Sequence, residues 1–287
     1  MSAVPATPAS TPTAATLPTV ATTGAPTLLT HQIAGHAGQI LSLPNGLIAK
    51  VCPIKEKHFY EHVFHSPRAD LVAFQTIIPK YAGVPADIPP PTTPTGEIDT
   101  TKAVIQAQDV LRPFTNPSVA DIKIGTRLYG TEADAAKQAR MEHQAAITTS
   151  GATGLRICGT RVFRRSDQTS VVHDRTFGRA LTVKTLPSGV DEFFSAADIP
   201  DATQKRKLVE KVAAALRAVL AVLEKACVRL YGASLLVVYG DDDEVDVKII
   251  DFAHSHVEEE TEGPDEGAVF GVKYLIRILE ELADDRH

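Results

Sequence analysis

Apolar and polar residues alternate along the first half of the chain and fall at helical spacing along much of the second. "GQILSLPNGLIAKV" (38–51) holds two alternating runs around a Pro-Asn-Gly turn, which predicts a β-hairpin with Lys50 near the end of its second strand. "KEKHFYEHVF" (55–64) predicts a short helix carrying Glu56 and Glu61, and "KAVIQAQDVL" (102–111) a strand with Asp109 near its end. "PSVADIKIG" (117–125) reads as a further strand, because Val119, Ile122 and Ile124 are β-formers bounded by Pro117 and Gly125. "TEADAAKQARMEHQAA" (131–146) predicts a helix with Lys137 and Arg140 at i and i+3 on one face. "TGLRICGTRVFRR" (153–165) and "VVHDRTFGRAL" (171–181) read as strands or extended segments.

The strongest helical period runs from about Asp201 to Leu230, with Leu208, Val212, Leu216, Val219, Leu223 and Cys227 as its stripe. Asp201 and Gln204 have capping-box spacing, and Gly232 stands where such a helix would stop. "ASLLVVY" (233–239), the turn "GDDD" and "EVDVKIIDF" (244–252) follow, the last a strand ending in Asp251. A final amphipathic helix uses Val269, Val272, Leu275, Ile276 and Leu279. Strands early and helices late predict an α+β protein with two lobes.

Composition narrows the class. With 287 residues, 44% hydrophobic and 22% charged, the chain has the makeup of a soluble globular protein with a sizeable core. A net charge of −6 gives no reason to expect direct nucleic-acid binding. Cys52, Cys158 and Cys227 are odd in number and lack CxxC spacing, which argues against a disulfide framework or a structural zinc. No apolar run approaches the roughly 20 residues that span a bilayer, so no membrane partner is expected. Residues 1–30 are Pro, Thr, Ala and Ser without a charged side chain, and are expected to form a disordered tail. "GVPADIPPPTTPTGEIDTT" (83–101) reads as a long loop within the folded part.

In a strand, Asp121 and Lys123 share one face with α-carbons roughly 7 Å apart. Alone, the pair is either a surface ion pair on an edge strand or one face of a site. Around it stand a strand lysine (Lys50), a helix glutamate (Glu56) and a late strand ending in Asp251-Phe252. Phosphoryl transfer from ATP needs such a set: a lysine for the nucleotide phosphates oriented by a carboxylate, a second carboxylate for Mg²⁺, and a polar pair where the acceptor meets the γ-phosphate.

The wording of these segments resembles the inositol polyphosphate kinases. Residues 117–125 match that family's P-x-x-x-D-x-K-x-G at every fixed position. "AGHAG" (34–38) is similar to its early glycine segment, "EKHFYE" (56–61) to its E-x-x-F-Y helix, "GASLLVVY" to its Ser-Leu-Leu strand and "IIDFAH" to its metal-binding segment. The resemblance covers about residues 33–283. "TTSGATGLRICGTRVF" and "FGRALTVKTLPSGVDEFF" look most like the fungal multikinases.

The resemblance implies a two-lobed, ATP-grasp and protein-kinase-like α+β fold: an N-lobe over 31–110 that binds ATP and a C-lobe over 111–287 that binds inositol phosphate and metal. It implies that Lys50 binds ATP phosphates with Glu56 as partner. The hinge would be Gln106–Val110, with Gln108, Asp109 and Val110 against adenine, and Asp251 would meet Mg²⁺ and nucleotide. Lys123 would contact the reacting hydroxyl and the transferred phosphoryl, and Asp121 would be either the ribose contact or the proton acceptor. Lys137 and Arg140 would meet substrate phosphates, with His254 near the acceptor hydroxyl. Two departures stand out: Gln108 replaces the family's usual hinge glutamate, and Gly35 and Gly38 do not complete a strict G-x-G-x-x-G. Arg156, Arg161, Arg164, Arg165, Arg175 and Arg179 form a basic run that either steers a polyanion or, as expected for most of them, is a solvated face.

The implied activity is phosphorylation of inositol 1,4,5-trisphosphate to tetrakis- and pentakisphosphate with ATP and Mg²⁺, in nucleus and cytoplasm, with protein partners in the nucleus. The fungal wording and the lack of a large added domain favour a multikinase. The rivals are an inositol hexakisphosphate kinase, a narrow trisphosphate 3-kinase, and a non-catalytic scaffold or transcriptional cofactor.

Overall fold

A computed structural model describes residues 27–28 and 40–284. The proposed tail over 1–30, apart from Thr27–Leu28, and the glycine segment with Gly35 and Gly38 lie outside the described residues. The first sheet is antiparallel, built from β1 (Thr27–Leu28), β2 (Ile40–Ser42), β3 (Leu47–Pro53), β4 (Tyr81–Gly83) and β5 (Lys102–Gln108) in the order β1-β2-β3-β5-β4. Lys50 is mid-strand in β3, opposite Ile40 and Ile105. Helices α1 (Ile54–His65) and α2 (Ala69–Phe74) follow β3 and carry the chain toward the second half.

That half is ordered β6 (Ser118–Ile124), α3 (Ala135–Ala146), α4 (Thr149–Thr153), β7 (Leu155–Phe163), β8 (Ser170–His173), α5 (Arg175–Ala180), α6 (Leu186–Ser195), α7 (Ala202–Leu223), β9 (Val228–Leu230), β10 (Ser234–Tyr239), β11 (Val245–Ile250), β12 (Ser255–Val257) and α8 (Glu266–Asp284). Its five-stranded sheet runs β11-β10-β6-β7-β8, and β9 pairs with β12. The Asp-x-Lys strand β6 is therefore central, which removes the edge-strand reading. Helices α7 and α8 bury Leu208, Val212, Leu216 and Leu223 of the one against Val272, Leu275 and Leu279 of the other in the main core. The two halves are pinned by Phe252, which stacks on Phe59 at 4.7 Å between ring centroids and meets Tyr60 edge-on at 5.2 Å.

Several predicted elements differ. The helix from Asp201 ends at Leu223, not near Leu230, because Val228–Leu230 pair with Ser255–Val257 and the Cys227 N–H donates to Asp70. Tertiary pairing overrides the helical period there. Gly232 consequently sits in the turn before β10 and caps nothing. Asp201 caps the Thr203 N–H at 2.8 Å, but Gln204 donates to Asp243 instead of closing a capping box. Within 171–181 only Val171–His173, the end of β8, are strand. Asp174 caps the Thr176 N–H and starts α5, whose Gly178 admits no Cβ because the Ile157 carbonyl would lie 1.7 Å away.

Candidate active site

The two sheets face each other across a cleft of about 820 Å³, mouth included, walled by Ile40, Ile48 and Ile105 on one side and Val119, Leu236 and Ile250 on the other. Lys50 projects into it from β3. Helix α1 begins four residues later, so Glu56 in its first turn reaches back to the ammonium at 2.7 Å. Asp251, just past β11, takes a left-handed φ of +68°, which ends the strand and turns its carboxylate inward to the same ammonium, also 2.7 Å away. Burial alone would lower the Lys50 pKa, but the flanking Asp251 and Glu56 carboxylates raise it well above the ordinary value, so the cation is fixed. Burial holds the Glu56 carboxyl up, partly offset by Lys50. For Asp251, burial is outweighed by Lys50 and then Lys123, and the net shift is downward.

On β6, Asp121 is 5% exposed and its Oδ1 has no hydrogen-bond partner among the described residues. Burial raises this carboxyl from 3.8 to about 6; Lys123 pulls the other way and Asp251 adds to the rise. Ser234 lies near enough to favour the ionised form, yet its Oγ also completes no hydrogen bond. Lys123 shares the face and donates to the Gly232 carbonyl at 2.6 Å. Gly125 has φ +90° and donates to the Gly154 carbonyl; a Cβ there would meet its nearest atom at 3.8 Å, so backbone conformation and not space calls for glycine.

Beyond Lys123 lies a second hollow lined by Lys55, His58, His62, Glu132, His254 and His256. Asp134 caps α3 by accepting from the Lys137 N–H, and the Lys137 Nζ reaches the His254 Nε2 at 3.5 Å. Glu132 accepts from Lys55 at 3.1 Å and faces His254 Nδ1 at 3.2 Å. Arg140, one turn along α3, is exposed and outside this cluster.

At the hinge the Gln108 N–H donates to the Lys80 carbonyl and the Asp109 N–H to the Gly46 carbonyl. The Gln108 side chain accepts from the Lys80 N–H, so it is turned to the protein's own backbone. Asp109 is buried and accepts from the Leu111 N–H. Val110 lines the cleft beside both. Among the described residues no three metal-type side chains cluster. Asp251, 41% exposed and with one oxygen on Lys50, fits a hard cation that takes one carboxylate and completes its shell with phosphates and water.

A lysine held between two carboxylates and a central Asp-x-Lys strand are one arrangement, and residues 104–280 match the family model described as inositol polyphosphate kinase. The chain belongs to the inositol polyphosphate kinase family. Inositol polyphosphate multikinase of Schizosaccharomyces pombe is 29% identical over 271 residues, 89% of this chain and 97% of that protein. Inositol hexakisphosphate kinase 3 of Mus musculus is 32% identical over 203 residues, 62% of this chain and 50% of that one. The chain thus spans about half the length of the hexakisphosphate kinases it matches. The inositol phosphate multikinase Ipk2 of S. cerevisiae, solved with ADP and Mn²⁺, shares the fold with a TM-score of 0.67 over 81% of this chain and 98% of that one, at 22% identity.

Within this family fold, Lys50, Glu56, Asp121 and Asp251 meet at one cleft, Lys123 stands on the same strand face as Asp121, and Lys137 reaches His254 of the second hollow. Sequence reasoning missed Glu132, whose only signal was its place before the α3 cap. It also left Arg156 undivided from the rest of the basic run. That residue is 7% exposed and not part of a solvated face, whereas Arg165 pairs with Asp243 at 2.6 Å and Arg175 and Arg179 are exposed.

Proposed function

We propose that the protein transfers the γ-phosphoryl group of ATP to a hydroxyl of a soluble inositol polyphosphate, with inositol 1,4,5-trisphosphate as acceptor and tetrakis- and pentakisphosphates as products. The observation that carries this reading is the Lys50 ammonium bridging Glu56 and Asp251 at 2.7 Å, in one cleft with the buried Asp121 and beside Lys123. Lys50 draws the nucleotide phosphates, and the hinge beside Val110 takes the adenine. Asp251 holds Mg²⁺, which neutralises charge on the phosphates when bound. Asp121, with an open oxygen and a carboxyl near 6, suits the proton acceptor better than a ribose contact. As the acceptor oxygen bonds to phosphorus and the bond to the ADP oxygen breaks, the hydroxyl proton passes to Asp121, and Lys123 stabilises charge on the transferred group.

The match spanning nearly all of the S. pombe multikinase supports the multikinase reading. The higher identity to the Mus musculus enzyme supports a second one, in which inositol hexakisphosphate is the acceptor and a pyrophosphate the product. Purified protein incubated with ATP, Mg²⁺ and a panel of inositol phosphates, with product isomers resolved, decides between them. Absence of ATP-dependent product from every member of the panel refutes both.

A further inference from the structure

We propose that Arg156 is a phosphate-binding residue of the acceptor site, its guanidinium pairing with a phosphate of the inositol polyphosphate next to the reacting hydroxyl; this rests on the kinase reading above. Ile250, Ser234, Lys123 and Arg156 form one row of cross-strand partners over β11, β10, β6 and β7. Directly opposed residues share a face, so Arg156 stands beside Lys123 on the cleft side of the sheet. Strands lie about 4.8 Å apart, which sets Arg156 three spacings, about 14 Å, from the strand that ends at Asp251. It is therefore on the acceptor side of Lys123, away from the nucleotide end.

Its surroundings lack a counterion. Arg156 is 7% exposed, its Nη1 has no hydrogen-bond partner, and it makes no ion pair among the described residues. The Cys158 thiol lies alongside in the β6–β7 bulge and is a neutral hydrogen-bond partner of Arg156, since burial and then Asp121 raise its pKa against the pull of Lys123 and Arg156; the guanidinium therefore lacks a charged partner. A buried cation without a charged partner is costly, and a second cation directly across the sheet adds to the cost. Such an arrangement persists where a ligand brings the missing charge. Arginine's planar fork matches phosphate oxygens in pairs.

The test is thermal unfolding of the full chain with and without inositol 1,4,5-trisphosphate, and separately with ATP and Mg²⁺, alongside steady-state kinetics. Arg156→Met should melt no lower than wild type when ligand-free, since it deletes an unpaired charge. It should lose most of the trisphosphate-induced rise and keep the nucleotide-induced one. Its KM for the inositol phosphate should rise at least tenfold, and its KM for ATP should stay within twofold. A variant that melts well below wild type yet keeps the full trisphosphate response overturns the proposal, because the guanidinium would then be structural. If Arg156→Met does not accumulate folded, Arg156→Lys, which keeps charge but loses the fork, carries the same kinetic test, and an unchanged acceptor KM overturns the proposal. Wild-type protein that responds to no inositol phosphate overturns the kinase reading and this inference together. A wild-type response that the variant shares in full overturns this inference alone.

Discussion

Asp121→Asn should make the protein more stable at neutral pH while removing its turnover. The carboxyl rises from 3.8 to about 6 chiefly through burial, a shift of about two units, or about 3 kcal/mol at 1.36 kcal/mol per unit. The folded state binds this proton more tightly than the unfolded chain. The group's destabilising effect is therefore absent below about pH 4, grows between about pH 4 and 6, and is complete above 6. Asparagine keeps the shape without the charge, but it leaves Lys123 less compensated and keeps a buried polar group, so a net gain of roughly 1–2 kcal/mol is expected. At about 2–4 °C per kcal/mol, that is a rise in Tm of roughly 2–8 °C at pH 7.5, shrinking toward zero at pH 4. Calorimetry at both pH values reads the stability, and a coupled ADP-release assay reads the activity. Wild-type turnover should itself fall as the pH drops and Asp121 takes up its proton. An Asn variant less stable than wild type at pH 7.5, or equally favoured at both pH values, would refute the reasoning.

Lys50→Met leaves Glu56 buried without its cation and should cost about 3 kcal/mol as well as all measurable turnover; adding Glu56→Gln should recover stability in denaturant titration but no activity. Lys137→Ala should raise the acceptor KM about tenfold, the size of one charge-assisted bond of roughly 1.5–3 kcal/mol, while the exposed Arg140→Ala shifts it less than threefold. Equal effects in the two single variants would mean that α3 is turned differently in solution. Phe252→Ala empties the contact with Phe59, Tyr60 and Phe74 and should cost roughly 3–5 kcal/mol in urea unfolding; a loss under 1 kcal/mol would show that the two halves are not joined there.

The residues that meet in the candidate site could be picked out of the sequence because most of them come with fixed spacing. Asp121, Lys123 and Gly125 share one strand and its end, and Lys50 and Glu56 are six residues apart, so local geometry placed them. The partnership of Lys50 with Asp251 spans 201 residues, and only the closed fold reveals it. Strand β9 has three residues, too few to outweigh the helical stripe that runs into Cys227, and its identity depends on Ser255–Val257 arriving beside it. Helix α6 was readable in principle, since Leu186, Val190, Phe193 and Phe194 keep helical spacing after a thin Pro-containing start. Arg156 could not be told from the rest of the arginine run because a count of arginines carries no information about which face of β7 each one occupies.

The Lys50 bridge also turns ligand entry into an exchange. A cation on the open oxygen of Asp251 would weaken its hold on Lys50, and Lys50, so loosened, would need a new anion beside it. A nucleotide phosphate arriving alone meets Asp251 still charged nearby, and a cation arriving alone strands Lys50 with Glu56 as its one close carboxylate. Each arrival therefore lowers the cost of the other, and by linkage the factor is the same measured from either side. Titration calorimetry of ADP with and without Mg²⁺, and of Mg²⁺ with and without ADP, reads that factor once the affinity of ADP for Mg²⁺ in free solution is subtracted. A factor of one would mean that the bridge stays closed. A larger one makes the empty cleft a coincidence detector, taking each ligand more tightly when the other is present.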